Sequence, residues 1–345
     1  MNKKILAVAI ASAMAAPLAM ADEGNVTLYG QANASIESVD GDGTGTAGTR
    51  TNVSTNGSRF GVKGWESVGN GLKAIFLMES AVALDSGGTT TLFDGGRDGY
   101  VGLEGNFGKV ALGFHGQPYK TSTNGLDIFG DTIADYSGVM NGNGTYDSGI
   151  GNAVIWFAPD VNGLSGHVQY GVDETAGSNA DKWGAQANYS NGPWYATVAH
   201  ASVKSATANS DTRASKIGGS YTFGGATTFA LIYENLSADS AVATGVKEHN
   251  AWYAALSHNM GNNTFKLAYA NAGDDNDVAN TGAKQWSVGL SHHLSKRSQL
   301  YALYTQLDNE SGASNKLGTT GSSGELTPGV GLDPRAWAVG MKHSF

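Results

Sequence analysis

Residues 336–345 read "AWAVGMKHSF" and alternate to the final atom. Trp337, Val339, Met341 and Phe345 fall on one parity, with Lys342 and Ser344 on the other. A period of two is that of a strand with one apolar and one polar face. His343 is the odd member, a polar residue on the apolar parity. Most chains end in a polar, frayed tail. A strand that runs to an exposed ring implies a last edge that must be paired.

The same alternation recurs upstream, about every 20 residues. "SKIGGSYTF" (215–223) sets Ile217, Tyr221 and Phe223 against Lys216, Ser220 and Thr222, and "LSGHVQYG", "NTFKLAYA" and "QWSVGLSH" repeat the pattern. Helix-period segments are nearly absent. Tight connections rich in Asn-Gly and Gly-Gly, such as "SVGNGL" (67–72), "PDVNGL" (159–164) and "TFGGAT" (222–227), suit hairpins. They alternate with long Gly/Asp/Thr-rich loops, near 39–50, 84–96, 117–150, 173–181, 202–213, 236–248, 272–284 and 308–334. Seven short turns and eight long loops predict 16 strands.

The amino terminus says where such a sheet would sit. "MNKK", an apolar run broken by Pro17, and the small-x-small site Ala19-Met20-Ala21 form the pattern of a secretory signal peptide. The run is too short for a membrane anchor. Residues 1–21 are therefore expected to be removed, leaving 22–345 as one domain. The chain has no cysteine, so neither disulfides nor thiolate metal sites are available. Its formal charge is −9 and becomes more negative without Lys3 and Lys4, which argues against a nucleic-acid partner.

Even strand number, with short turns at one end and long loops at the other, is the pattern of an all-β transmembrane antiparallel barrel. The short turns would be periplasmic and the long loops extracellular. In lipid every backbone group must be paired, so residues 25–37 and 335–345 should close the sheet. A propeller or sandwich would need an aliphatic core face. Here Phe107, Tyr189, Trp194, Tyr221, Phe223 and Phe265 cluster near the tight turns instead, as an interfacial girdle requires. Sixteen strands enclose water. Tyr29, Gln31, Asn33, Arg59, Lys63, Lys73, Gln186, Asn188, Lys216 and Lys266 share the inward parity and would line it.

Loop 117–150 is the longest and carries "LDIFGDTIADY". Asp127, Asp131 and Asp135, four apart, would share one face of a short helix, with Leu126, Phe129 and Ile133 free to anchor it. The spacing suits a loop folded into the barrel, carrying carboxylates to a constriction. A solvated surface loop fits the spacing too. Catalysis finds no support: there is no GxSxG or HExxH, and His292 and His293 point to opposite faces of their strand. "DDNDVAN" (274–280) lacks the glycine and glutamate of a calcium loop and reads as a solvated acidic loop. No metal or cofactor is expected.

The sequence also resembles a family, the Gram-negative general porins of the neisserial type. The resemblance rests on "VTLYGQANASIE" (26–37), "SRFGVKGWESVGNGLKAIFLMES" (58–80), "YVGLEGNFGKVALGF" (100–114), "PYKTSTNGLDIFGDTIADY" (118–136) and "VGMKHSF". It implies a homotrimer in the outer membrane of a Gram-negative bacterium, with the third loop folded inward. Acids on that loop would face a basic wall, here Arg59, Lys63 and Lys73, with His115, Tyr119 and Lys120 near the constriction. Ions and small hydrophilic solutes would diffuse through. The partners it implies are lipopolysaccharide, outer-membrane lipid and the barrel-insertion machinery, which would read Phe345 as its signal.

Relatives often have arginine where this chain has Ala111, Phe114 and Gly149. Loss of three cations beside an Asp cluster predicts weak cation preference, unless Arg50, Arg97 or Arg213 compensates. A substrate-selective channel is the alternative, kept open by inward Tyr29 and Tyr100.

Overall fold

A computed structural model describes residues 24–44, 48–85, 93–140, 146, 148–178, 180–204, 211–238, 248–275, 278–318, 326 and 328–345. The signal-peptide segment and "NGNG" (141–144) lie outside them. Seventeen strand segments make one closed antiparallel sheet. They are β1 (Gly24–Asp40), β2 (Arg50–Thr55), β3 (Arg59–Gly69), β4 (Leu72–Val82), β5 (Phe93–Gly105), β6 (Gly108–Gly116), β7 (Gly149–Phe157), β8 (Leu164–Gly171) and β9 (Lys182–Asn191), followed by β10 (Trp194–Lys204), β11 (Asp211–Phe223), β12 (Thr227–Ala238), β13 (Asn250–Met260), β14 (Asn263–Ala272), β15 (Ala283–His293), β16 (Ser298–Asn309) and β17 (Arg335–Ser344). β2 and β3 both pair with β1. They are one barrel strand in two pieces, so the barrel has the predicted sixteen staves.

The break has a local cause. Ala34 faces Thr55, but Gln31 faces Arg59, so Asn56, Gly57 and Ser58 stand opposite two residues of β1. This is a bulge, and Gly57 takes the left-handed φ of 62° that it needs. The freed backbone finds partners: Ser58 Oγ accepts from Asn33 N at 2.9 Å and donates to Asn33 O at 3.0 Å.

The sheet closes where the terminal strands meet, with Gln31 opposite Ser344 and Asp40 opposite Arg335. Phe345 continues the ladder, since its N–H donates to Gly30 O and its C=O accepts from Gly30 N. Its ring lies over Gly30, where a Cβ would strike it. His343 Nδ1 meets Ser298 Oγ at 2.8 Å, so the odd imidazole is satisfied by the strand beside it.

Outward residues form the expected apolar band, with Val26, Ile36, Met78, Val101, Val198 and Val339 all largely exposed. The girdle is uneven. Each of β7–β17 carries an outward Trp or Tyr: Trp156, Tyr170, Trp183, Trp194, Tyr221, Tyr233, Trp252, Tyr269, Trp286, Tyr304 and Trp337 among them. Among the described residues, β1–β6 carry none.

Inside, the wall of β12–β15 is paved with small side chains: Ala230, Ala251, Ala255, Ala268, Ala270 and Ala283 are buried. They are buried because the loop between β6 and β7 lies on them. Leu126, Phe129, Ile133, Tyr136 and Met140 of that loop form one core with this wall.

Candidate functional site

The loop enters through a single helical turn, α1 (Pro118–Thr121), and leaves through a 3-10 turn at Tyr136–Gly138. Between them it circles the inner wall strand by strand. Thr121 Oγ1 donates to Gln186 on β9, and Tyr195 on β10 donates to Ser122 O. Lys266 on β14 donates to Ile128 O at 2.8 Å, Gln285 on β15 to Ala134 O, and Asn33 on β1 to Asp131 O at 2.7 Å. Glycines in the wall make seats for the apolar anchors. A Cβ at Gly218 would meet Leu126, and one at Gly289 would meet Phe129. The anchoring roles expected of Leu126, Phe129 and Ile133 hold, each 2% exposed or less.

The three acids do not share a helical face. Residues 126–135 are a chain of turns, because side chains from the wall take the carbonyls that a helix would use. Asp127 turns into the loop and accepts from Phe129 N (2.9 Å) and Tyr253 OH (3.1 Å). Burial pushes its carboxyl up to about 6, against the pull of those hydrogen bonds. Asp135 caps the 3-10 turn through Ser137 N at 2.8 Å.

Asp131 crosses to the opposite side of the barrel, at a left-handed φ of 58°. Its carboxylate occupies the notch left by the strand break, where a Cβ on Gly57 would collide with it. Arg59 lies 3.3 Å away, Lys342 3.5 Å, and Gln31 Nε2 donates at 3.1 Å. Burial would raise its pKa, but the two cations and the Gln31 bond outweigh it and hold it below the usual carboxylate range.

What remains open is a polar passage between the loop and a wall made by β3–β5 and β17. Lys120, Asn124, Asp127, Asp131, Asp135 and Tyr136 line it on the loop side, with Arg59, Glu79, Arg97, Asp98 and Lys342 opposite. Arg97 Nε sits 2.5 Å from Glu79, and His115 Nδ1 2.9 Å from Asp98. Arg59 and Lys120 line this passage, and His115 lies beside it through Asp98.

Other placements need correction. Tyr119 does not line the pore. It is fully buried at the loop root, where its OH donates to Glu234 at 2.7 Å. Lys63 and Lys73 face the lumen but nearer the periplasmic turns, over the rings of Tyr29 (5.1 Å) and Trp65 (4.4 Å). Lys216 faces inward but does not touch the open lumen; it is sealed against Glu234 at 3.6 Å.

Two of the three positions behind the expected cation preference lie away from the passage. Phe114 faces outward, and a Cβ at Gly149 would meet the Phe114 ring, so neither position borders the passage. Arg97 lines the passage, as does Lys342, a residue whose inward parity and closing strand were legible but whose place at the passage was not. In the 274–280 loop, Asp274 is spent on Thr281 N and Gly282 N of its own turn.

This geometry, a closed barrel narrowed by an inward third loop, agrees with the comparisons. Residues 7–312 match the family model for Gram-negative porin. The chain belongs to the Gram-negative porin family. Outer membrane porin protein 32 of Delftia acidovorans is 30% identical to this porin over the full length of both chains. Major outer membrane protein P.IB of Neisseria meningitidis serogroup B is 31% identical, also over the full length of both. An anion-selective porin from Comamonas acidovorans superposes with a TM-score of 0.79 at 26% identity, covering 94% of this chain and all of that one. OmpT of Vibrio cholerae shares the fold, with a TM-score of 0.69 at 19% identity over 94% of this porin and all of OmpT. The porin is thus a passive diffusion channel of the outer membrane.

Proposed function

We propose that this porin works as a homotrimeric general channel of weak charge preference, for ions and small hydrophilic solutes. The observation that carries the reading is the charge balance at the passage. Arg59, Arg97, Lys120 and Lys342 stand against Glu79, Asp98, Asp127, Asp131 and Asp135, four cations to five acids. Opposed charges in a narrow gap orient a solute's dipole without favouring one sign of ion. In this reading Asp131 and Arg59 set the width and Lys120 and His115 border the path. Asp127, Asp135 and Tyr119 shape the loop, while Lys63 and Lys73 act only at the periplasmic mouth. A reversal potential in a salt gradient should lie close to zero. Liposome swelling should fall smoothly with sugar size. A strong preference for either ion, or one sugar outrunning others of its size, would overturn the reading.

The girdle gap supports the trimer. Trp and Tyr belong at a lipid–water boundary, and β1–β6 offer a smooth apolar face without them. A face that meets a second copy does not need the belt. Lipopolysaccharide and lipid would then meet β7–β17, where the belt runs. The mature chain would begin at Asp22, and Phe345 would be the signal read by the insertion machinery. Deleting Phe345 should lower the amount of folded barrel in the outer membrane much more than the conductance of barrels that insert. Equal losses in both would argue against that role.

A further inference from the structure

One part of the lumen wall lies beside the constriction rather than in it, joined to it through His115 and Asp98. Below the loop root, four rings meet on β5–β8. His115 lies 5.2 Å from Phe157 and 5.4 Å from His167, and Phe157 lies 5.3 Å from His167. Tyr100 completes the group at 5.8 Å from Phe157. Cross-strand register sets Lys109, Phe157, His167 and Gln186 in one row. Between that row and Tyr100, β5 and β6 carry only Gly102 and Ala111 on the inward parity, with the buried Ile155 and Gln169 continuing their row on β7 and β8. A hollow of about 330 Å³ lies against this row, lined by Tyr100, Lys109, Phe157, His167, Gln186 and Asn188, with Ser165 beside them. A space of that size holds one ring with a small substituent.

Its polar rim is made of donors. Gln186 uses Oε1 to accept from Thr121, and Asn188 uses Oδ1 to accept from Thr197 at 2.7 Å and Tyr195. Both amides therefore present their NH₂ groups. Lys109 adds an ammonium at the other end of the row. It lies 3.5 Å from Glu104 in a pair about half exposed to water, and such a pair is weak enough to exchange partners.

Aromatic faces beside a water-filled lumen favour a ligand with a flat apolar face. Donors and an ammonium favour a ligand whose edge accepts hydrogen bonds and carries negative charge. A neutral sugar leaves the ammonium unused. An aromatic cation is repelled by it. We propose that this hollow is a binding subsite for aryl carboxylates, with the ring held among Tyr100, Phe157 and His167 and the carboxylate met by Lys109 or the two amides. The inference rests on the reading of the lumen as a solute path and adds a preferred solute class to it.

The test is conductance of the full-length porin in planar bilayers in KCl at neutral pH. Benzoate is titrated against acetate, which has the charge without the ring, and against glucose, which has a ring without the charge. Benzoate should reduce the current with saturation, and acetate and glucose should not. Phe157→Leu, which keeps volume but loses the aromatic face, and Lys109→Gln, on an exposed side chain, should each raise the half-blocking concentration about tenfold. The proposal is overturned if benzoate acts no more strongly than acetate, if glucose matches it, or if both variants block like the parent. Absence of any KCl conductance would instead overturn the channel reading, and this inference with it.

Discussion

Lys216 and Arg97 both project from inward positions of the barrel, yet they belong to different regions. Lys216 stands on the wall behind the loop, with no exposed side chain, 3.6 Å from an equally sealed Glu234 and 4.0 Å above the ring of Tyr119. Arg97 stands on the open wall, 38% exposed, beside Glu79. One region uses charge to fix a loop, and the other uses it to set a field in water. Strand parity assigns a side chain to the lumen face. The course of the loop then decides whether that face meets water.

The sharpest way to break this contrast is to remove a charge from the covered wall. Lys216→Met leaves Glu234 buried and uncompensated, which costs about 3–5 kcal/mol. Thermal unfolding in detergent should shift down clearly. The double change Lys216→Met with Glu234→Leu should recover most of the loss. At the tip of the loop the effect is smaller. Asp131→Asn weakens two ion pairs that are partly exposed, on the order of 1 kcal/mol after screening. It should appear as excess open-channel current noise with little change in unfolding temperature.

Acid separates the two loop carboxylates by sign. Asp131 has its pKa lowered in the folded state, so its latch holds at neutral pH and is lost as pH falls through that depressed value. Asp127 is raised to about 6, so the folded loop takes up its proton before the unfolded chain does. Its contribution to stability should therefore grow as pH falls from about 6 towards about 4. Asp127→Asn should flatten that part of the stability–pH curve. The smallest effects belong to the periplasmic mouth. Arg97→Ala should move the reversal potential towards cations, whereas Lys63→Ala should barely move it. Lys63 is four residues along the strand from Arg59, roughly 13 Å, beyond the roughly 8 Å screening length of physiological salt.

The barrel was legible because its rule is local: period two, tight Asn-Gly turns and a terminal strand that needs a partner. Leu126, Phe129 and Ile133 were legible as anchors for the same reason. The helix expected across Asp127–Asp135 was not borne out, because its hydrogen bonds were claimed by residues far away in sequence, Asn33, Lys266 and Gln285. Spacing cannot register such competition. A signal was nonetheless present. Many inward positions of β12–β15 are alanine or glycine where a bare water-facing wall would carry polar groups, and that paving marks where the loop lies. Asn56-Gly57 falls between loop 39–50 and turn 67–72, and only the register against β1 exposes it as a notch.

That notch also orders events in time. Gln31 and Asn33 come from the first strand, Arg59 from the piece after the break, and Lys342 from the last strand. Asp131 therefore has no complete seat until the two ends of the sheet have joined. A half-zipped barrel offers its third loop a landing surface but no catch. The pore acquires its final bore last, and a seated loop tip is a chemical record that the seam has closed.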